Sequence, residues 1–218
     1  YATSAVLESS KELEFSITHN SFMGYMDTSP VRPLNDGCVR ITVGTHQPPI
    51  FTETGVPFFL VKTNSRGYVD WGETKFVSQA TYQALTRRVQ PKRGDVIYTA
   101  VGATYGIALF VDFDQAFVFQ RHIAHIIPNS SILLGEYIEA FLNSPMGKRQ
   151  SDQNAIGSAQ PTVTLGSLSQ FKLPFPSLET QATLVERLRQ VRASQRATAG
   201  RVAELVRLGR LVLQQSFQ

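Results

Sequence analysis

One break in the chain governs what the rest of it can do. Pro174-Phe175-Pro176-Ser177-Leu178 closes a region rich in turn-forming residues, and no proline occurs beyond it. The only glycines there are Gly200 and Gly209. Apolar or small residues then recur at alternating steps of four and three: Leu184, Leu188, Val191, Gln195, Thr198, Val202, Leu205, Gly209 and Val212. That is a heptad seam with a polar middle. Ser177 supplies an N-cap oxygen, with Thr180 and Gln181 in the first turn. A helix from about Glu179 to Ser216 is ~55 Å long at ~1.5 Å per residue, too long to bury its stripe on one compact domain. The seam therefore predicts a partner helix, with Leu184, Leu188, Val191, Val202, Leu205 and Val212 as the contact. The alternative is a hairpin folding back at Gly200, although a lone helical glycine is tolerable.

Residues 15–176 follow a different period. Short apolar runs alternate with turn chemistry, which predicts strands at Val56–Val61, Tyr68–Asp70, Asp95–Thr99, Ile107–Val111, Phe117–Phe119 and Ile123–Ile127. Ser78 to Arg88 predicts a short capped helix. Gly135 to Asn143 predicts another, with Tyr137, Ile138, Phe141 and Leu142 at helical spacing and Ser144-Pro145 as its stop. The expected class is α+β: a mixed, strand-rich globular domain over 1–176, then a long coiled-coil helix over 177–218. Residues 1–33 match no recognised pattern.

Composition narrows the function classes. The chain has 218 residues, 42% of them hydrophobic, which suits one sizeable core and no disordered state. No run of 18 apolar residues offers a membrane span, and Tyr1 to Lys11 carry no signal-peptide pattern. The single Cys38 forms no internal disulfide and fits no zinc spacing, so a reducing cytoplasm is the expected compartment. The net charge is +4, and the seven Arg and three Glu beyond position 178 carry all of it. Any DNA bound by the first 178 residues is therefore held by a local patch, not by bulk charge.

Three stretches carry a resemblance. Gly44-Thr45-His46-Gln47-Pro48-Pro49 precedes Thr54-Gly55-Val56-Pro57-Phe58. Lys92-Arg93-Gly94-Asp95-Val96-Ile97 leads into Gly102-Ala103-Thr104-Tyr105-Gly106. Leu173 to Gln181 then runs through its prolines and an acid, Glu179, straight into the long helix. In order and spacing these resemble the specificity subunit of Type I restriction-modification systems, over roughly Leu34 to Gln218. Full-length members hold two recognition domains and two spacer helices. This chain has one of each and no internal repeat, so the resemblance implies either a half-length subunit that pairs with itself or a fragment. It implies a target-recognition domain that binds double-stranded DNA and takes no cofactor of its own. Modification (methyltransferase) subunits would bring S-adenosylmethionine, and a restriction subunit the translocase and nuclease with their Mg and ATP.

Catalytic readings find little footing. No Asn-Pro-Pro-aromatic tetrad is present, and no Lys-Ser/Thr follows the Gly102–Gly106 segment as it would in a P-loop. That segment reads as a turn between strands. Asp70, Glu73 and Lys75 form the best decoy for a metal-dependent nuclease, at poor spacing beside Gly72. His122 and His125 lie three apart on an expected strand and so face opposite sides.

Base reading needs paired donors and acceptors, Arg for guanine and Asn or Gln for adenine. Three clusters supply them: Thr45-His46-Gln47 in a proline-stiffened loop, Gln120-Arg121-His122, and a polar run from Lys148 to Asn154 that includes Gln153. Each has a plainer reading, as an internally bonded turn, an Arg held by a carboxylate, or a solvated loop. Lys62, Arg66, Lys92, Arg93, Lys148 and Arg149 suit phosphate contacts. A scaffolding subunit without DNA affinity of its own is the alternative function.

Overall fold

The computed structural model describes residues 2–64, 69, 71–72, 74–87 and 90–216. It opens on an element the sequence pattern did not reveal, a 27-residue helix α1 (Ala2–Thr28). Strands β1 (Val31–Pro33), β2 (Cys38–Val43), β3 (Val56–Phe59) and β4 (Lys75–Val77) follow, then helix α2 (Gln79–Leu85). Next come β5 (Val96–Thr99), β6 (Ala108–Phe110), β7 (Val118–Phe119) and β8 (Ile123–Pro128). Helices α3 (Gly135–Asn143) and α4 (Pro145–Asn154), strands β9 (Ala155–Ile156) and β10 (Thr162–Val163), helix α5 (Leu165–Ser169) and strand β11 (Lys172–Pro174) lead into α6 (Leu178–Ser216). Among the described residues no helix is long and apolar enough to cross a membrane.

Two larger sheets form most of the strand-rich half, beside the two-stranded pairs β1-β11 and β9-β10. One is antiparallel, in the order β2-β8-β5-β6. The other has the order β4-β3-β7, with β3 and β7 parallel. Strand alternation sorts residues to opposite faces. Val96 and Tyr98 point into a helix-covered core with Phe22, Ala124, Ile126, Tyr137 and Phe141. Ile97 points instead into the core between the sheets, with Phe59, Leu109, Phe117 and Ile123. A smaller cluster of Val56, Phe58, Val77 and Tyr82 covers the outer face of β3.

Helix α1 packs along α6 and also against α3, α4 and β11. Phe22 is fully buried and packs its ring 5.3 Å from Tyr137 and 5.2 Å from Phe141. The helix lies along α6, because β1 pairs with β11 and so brings the end of α1 to the start of α6. Glu14 and Arg192, equally far from that junction along their helices, form an ion pair. The two helices are therefore antiparallel neighbours.

The partner predicted for the heptad stripe thus lies, for most of its length, within the chain itself. Leu184 and Leu188 are 1% and 2% exposed, in the same core as the four-stranded sheet, so they are not available as a seam between molecules. Val191, Gln195, Thr198 and Val202 are half-buried. Beyond them α6, at 39 residues, overruns the shorter α1. There Leu205 is 68% exposed, with Val206 and Leu208 exposed beside it. The side chain of Val212 lies outside the described residues. The helix continues unbroken through Gly200, so the hairpin does not form.

Other boundaries shift. The strand expected over Val56–Val61 stops at Phe59, and a 3₁₀ turn occupies Val61–Asn64. Val69 is in no strand, while Tyr68 and Asp70 lie outside the described residues. Helix α2 begins at its Ser78 cap but ends at Leu85 rather than Arg88. Ser144-Pro145 ends α3 and also starts α4, the Ser144 hydroxyl accepting from Gly147 N with Pro145 at the first helical position. The polar run Lys148–Asn154 is therefore helical, not a loop.

Candidate nucleic-acid interface

Registers within the four-stranded sheet define one end of the domain. Val43 faces Ala124, Ile123 faces Thr99, and Tyr98 faces Ala108. The end of β2, the start of β8, the end of β5 and the start of β6 therefore lie together. Every loop leaving that end carries one of the polar clusters or touches one that does.

The first two clusters meet directly. Thr45 and Gln120 form an isolated parallel bridge. Thr45 N donates to Phe119 O at 3.0 Å, and Arg121 N donates to Thr45 O at 2.9 Å. Gly44 makes this approach sterically feasible, since a Cβ there would sit 2.0 Å from the Phe119 carbonyl oxygen. The Thr45 hydroxyl donates to Gln47 O at 2.9 Å, which shapes the loop. His46 and Gln47 are exposed, and neither side chain bonds to a described residue. Arg121 is exposed, and its guanidinium pairs with no described carboxylate, unlike the plainer reading of it. Burial and the nearby Arg121 charge hold the His122 imidazole below the usual histidine range, so it is neutral at pH 7. His122 precedes β8 rather than lying on it. His125, within β8, is fully buried and bonds Asp95 at 2.7 Å.

The third cluster reaches the same end through the Gly102–Gly106 turn, where both glycines have positive φ. Tyr105 OH donates to Asp152 at 2.8 Å, and Lys148 Nζ stands 4.2 Å from the Tyr105 ring centre and 3.2 Å from Asp152. The Tyr105 hydrogen bond holds the Asp152 carboxyl below the usual carboxylate range, Lys148 adding to it. Tyr98 OH and Ser151 Oγ, 2.9 Å apart, join α4 to β5 beneath this cluster. Arg149 and Gln153 are exposed without a described partner. Asn154, at the end of α4, donates one amide hydrogen to Gln150 O at 2.9 Å. Tyr105 is not among the residues the sequence marks; an aromatic between two turn glycines is its only signal.

The phosphate candidates divide. Lys62 is exposed on the 3₁₀ turn whose Asn64 bonds Ile107 O, so it belongs to this end. Arg66 lies outside the described residues. Lys92 and Arg93 precede β5 and stand at the opposite end of the sheet, where Arg93 pairs with Asp114 at 2.9 Å. Turn chemistry marked them correctly as exposed, but strand direction carries them away from the clusters. Of the nuclease decoy, Asp70 and Glu73 lie outside the described residues, and Lys75 Nζ sits 4.6 Å from the Phe51 ring centre.

The family model for the Type I restriction modification DNA specificity domain matches residues 53–207, beginning just after the Thr45–Gln47 loop. The MjaVIII Type I restriction enzyme specificity subunit of Methanocaldococcus jannaschii is 23% identical over 145 residues, covering 65% of this chain and 34% of the relative. The EcoBI Type I restriction enzyme specificity subunit of Escherichia coli is 26% identical over 148 residues, covering 68% and 31%. The chain thus spans about a third of the length of these relatives. The crystal structure of a Type I restriction-modification S subunit from M. genitalium has the same fold at a TM-score of 0.63 and 9% identity, over 95% of this chain and 54% of that one.

Proposed function

We propose, from the premise that this chain belongs to the Type I restriction modification DNA specificity domain family, that it is a non-catalytic DNA-reading module. It addresses separate modification and restriction subunits to a site on double-stranded DNA. S-adenosylmethionine, Mg and ATP belong to those partners. The observation that carries this reading is the convergence of three polar clusters, distant in sequence, on one end of one sheet. There Gln47, Arg121 and Gln153 are exposed with no described partner, while Lys62 and Arg149 flank them. Uncommitted forked donors above a rigid backbone are what base-edge recognition in a major groove requires. Shifted electrophoretic mobility of a random-sequence duplex, with this chain in complex with modification subunits, is the test. No shift favours the scaffolding reading, whose one support is the neutral charge of the first 178 residues.

Self-association belongs to the same proposal, through a shorter surface than the heptad pattern implied. Leu205, Val206 and Leu208, on the part of α6 that overruns α1, would meet their counterparts in a second copy. An antiparallel pairing places two recognition ends about a two-fold axis and spreads the arginine charge along the rod. Sedimentation at micromolar concentration decides it: a monomer that Leu205→Glu leaves unchanged refutes the pairing.

A further inference from the structure

Arg192 is half-buried where α6 crosses two other helices, and its guanidinium spends three bonds on two carboxylates. Nε donates to Glu14 on α1 at 2.7 Å, Nη1 to Glu139 Oε2 on α3 at 2.9 Å, and Nη2 to Glu139 Oε1 at 3.2 Å. Glu139 is buried and accepts a further bond, 2.7 Å from Asn143 Nδ2. Asn143 then joins the sheet. Its Oδ1 accepts from Ala108 N at 2.9 Å and its Nδ2 donates to Ala108 O at 3.0 Å, so one side-chain amide stands where a neighbouring strand would pair with the edge strand β6. Ala108 adjoins Ile107, whose carbonyl holds Thr99 N and Asn64 Nδ2 beneath the Gly102–Gly106 turn. An unbroken polar chain thus runs from both long helices to the end of the sheet that carries the clusters.

A buried ion pair contributes little net stability, because desolvation offsets the Coulomb gain; its best-attested use is to fix one geometry among several. Apolar packing of Leu184 and Leu188 is non-directional and tolerates small tilts. The forked guanidinium does not, since it must meet two helices at once. Beyond Arg192 the helix continues to Ser216. That lever is ~36 Å long at ~1.5 Å per residue, so a ~10° tilt moves its tip by ~6 Å, roughly two base-pair steps.

We propose that the Arg192–Glu139–Asn143 chain is the positioning device that fixes the direction of α6 relative to the recognition end, and with it the distance at which a second recognition element is held. The DNA consequence rests on the functional reading above; the geometric part does not. Spin labels at exposed Gln47 and Ala203, in a Cys38→Ala background, measure the distance between the two ends in the full chain without DNA. The unsubstituted network gives one narrow distance distribution. Glu139→Leu with Arg192→Met, which removes both charges and keeps bulk, broadens it by several ångströms. Arg192→Lys, which keeps charge but loses the fork, broadens it less. Distributions as narrow as the parent's in the folded variants overturn the proposal. If the double variant fails to fold, Arg192→Lys decides alone. In complex with modification subunits, the same variants should leave the recognised bases unchanged and relax selection of the gap between half-sites. An altered base preference with an unrelaxed gap overturns the positioning role. Failure of the parent complex to bind DNA sinks the functional reading and leaves the distance result standing.

Discussion

Replacing Gly44 by alanine should separate the two loops that the recognition end depends on. The new Cβ would lie 2.0 Å from Phe119 O, 2.5 Å from Phe119 C and 2.6 Å from its ring carbon Cδ2. Two of these atoms are backbone, so no side-chain rotation relieves the clash; β7 and the 44–47 loop must part. Parting them breaks Thr45 N to Phe119 O and Arg121 N to Thr45 O. Overpacking costs about 1–3 kcal/mol, and each lost hydrogen bond about 1 kcal/mol net, so a destabilisation of roughly 2–4 kcal/mol is expected once partial relaxation is allowed. For a chain of this size that lowers Tm by roughly 5–15 °C. Thermal unfolding by circular dichroism measures it, and fluorescence anisotropy with a target duplex reports DNA affinity. Gly24→Ala is the control. It lies inside α1 with nothing within 4 Å of a new Cβ, and should be neutral or stabilising by up to about 1 kcal/mol. A Gly44→Ala chain that melts within a degree of the parent and keeps its DNA affinity would refute the argument.

Arg121→Ala should leave Tm unchanged and relax preference at one base position by about 1–3 kcal/mol, some 5- to 150-fold, as read by competition with singly substituted duplexes. The same change removes the positive charge that lowers the His122 pKa, so NMR titration should show that pKa rising. Because the folded pKa is depressed, His122 contributes stability above its unfolded pKa that is lost as pH falls through the folded value; Arg121→Ala should shrink that loss. Leu188→Glu should destabilise the fold severely, whereas Leu205→Glu should leave Tm within about 1 °C and alter only self-association. Burial pushes the Cys38 thiol up to about 12, so alkylation should be slow at pH 8. A raised folded pKa makes its contribution to stability complete below its unfolded value and lost as pH rises towards 12.

Elements with unambiguous punctuation were legible in the sequence. Ser177 caps α6 as expected, its hydroxyl accepting from Thr180 N at 3.2 Å. The range of α3 is the one read from Tyr137, Ile138, Phe141 and Leu142. Helix α1 was not legible, because one fully buried aromatic, Phe22, anchors a mostly polar segment and its partners are over a hundred residues away. Ser144-Pro145 was read as a stop because a proline ends the preceding helix; the same pair is an N-cap followed by the favoured first residue of the next. The polar clusters were visible as residue types. Their meeting was not, because a parallel bridge between Thr45 and Gln120 leaves no local trace. Nor does exposure at a turn reveal which end of a sheet the turn occupies, which is why Lys92 and Arg93 were grouped with Lys62.

The charge distribution now has a different meaning from the one composition suggests. The net +4 resides in the arginines of the last segment, but several of them are spent within the protein. Arg192 is held by Glu14 and Glu139, Arg189 by Glu136, and Arg207 by Glu204. Three of the seven arginines beyond position 178 are thus engaged within the protein. The exposed cations at the recognition end are Lys62, Arg121, Lys148 and Arg149, and Lys148 also pairs with Asp152. Neutralising about three to four phosphates predicts a slope of log K against log salt of about −3 to −4 for the purified chain on duplex DNA. Measured across a salt titration, a slope steeper than about −7 would mean that the α6 arginines also touch the backbone. A slope near zero would remove phosphate contact from the recognition end and the functional reading with it.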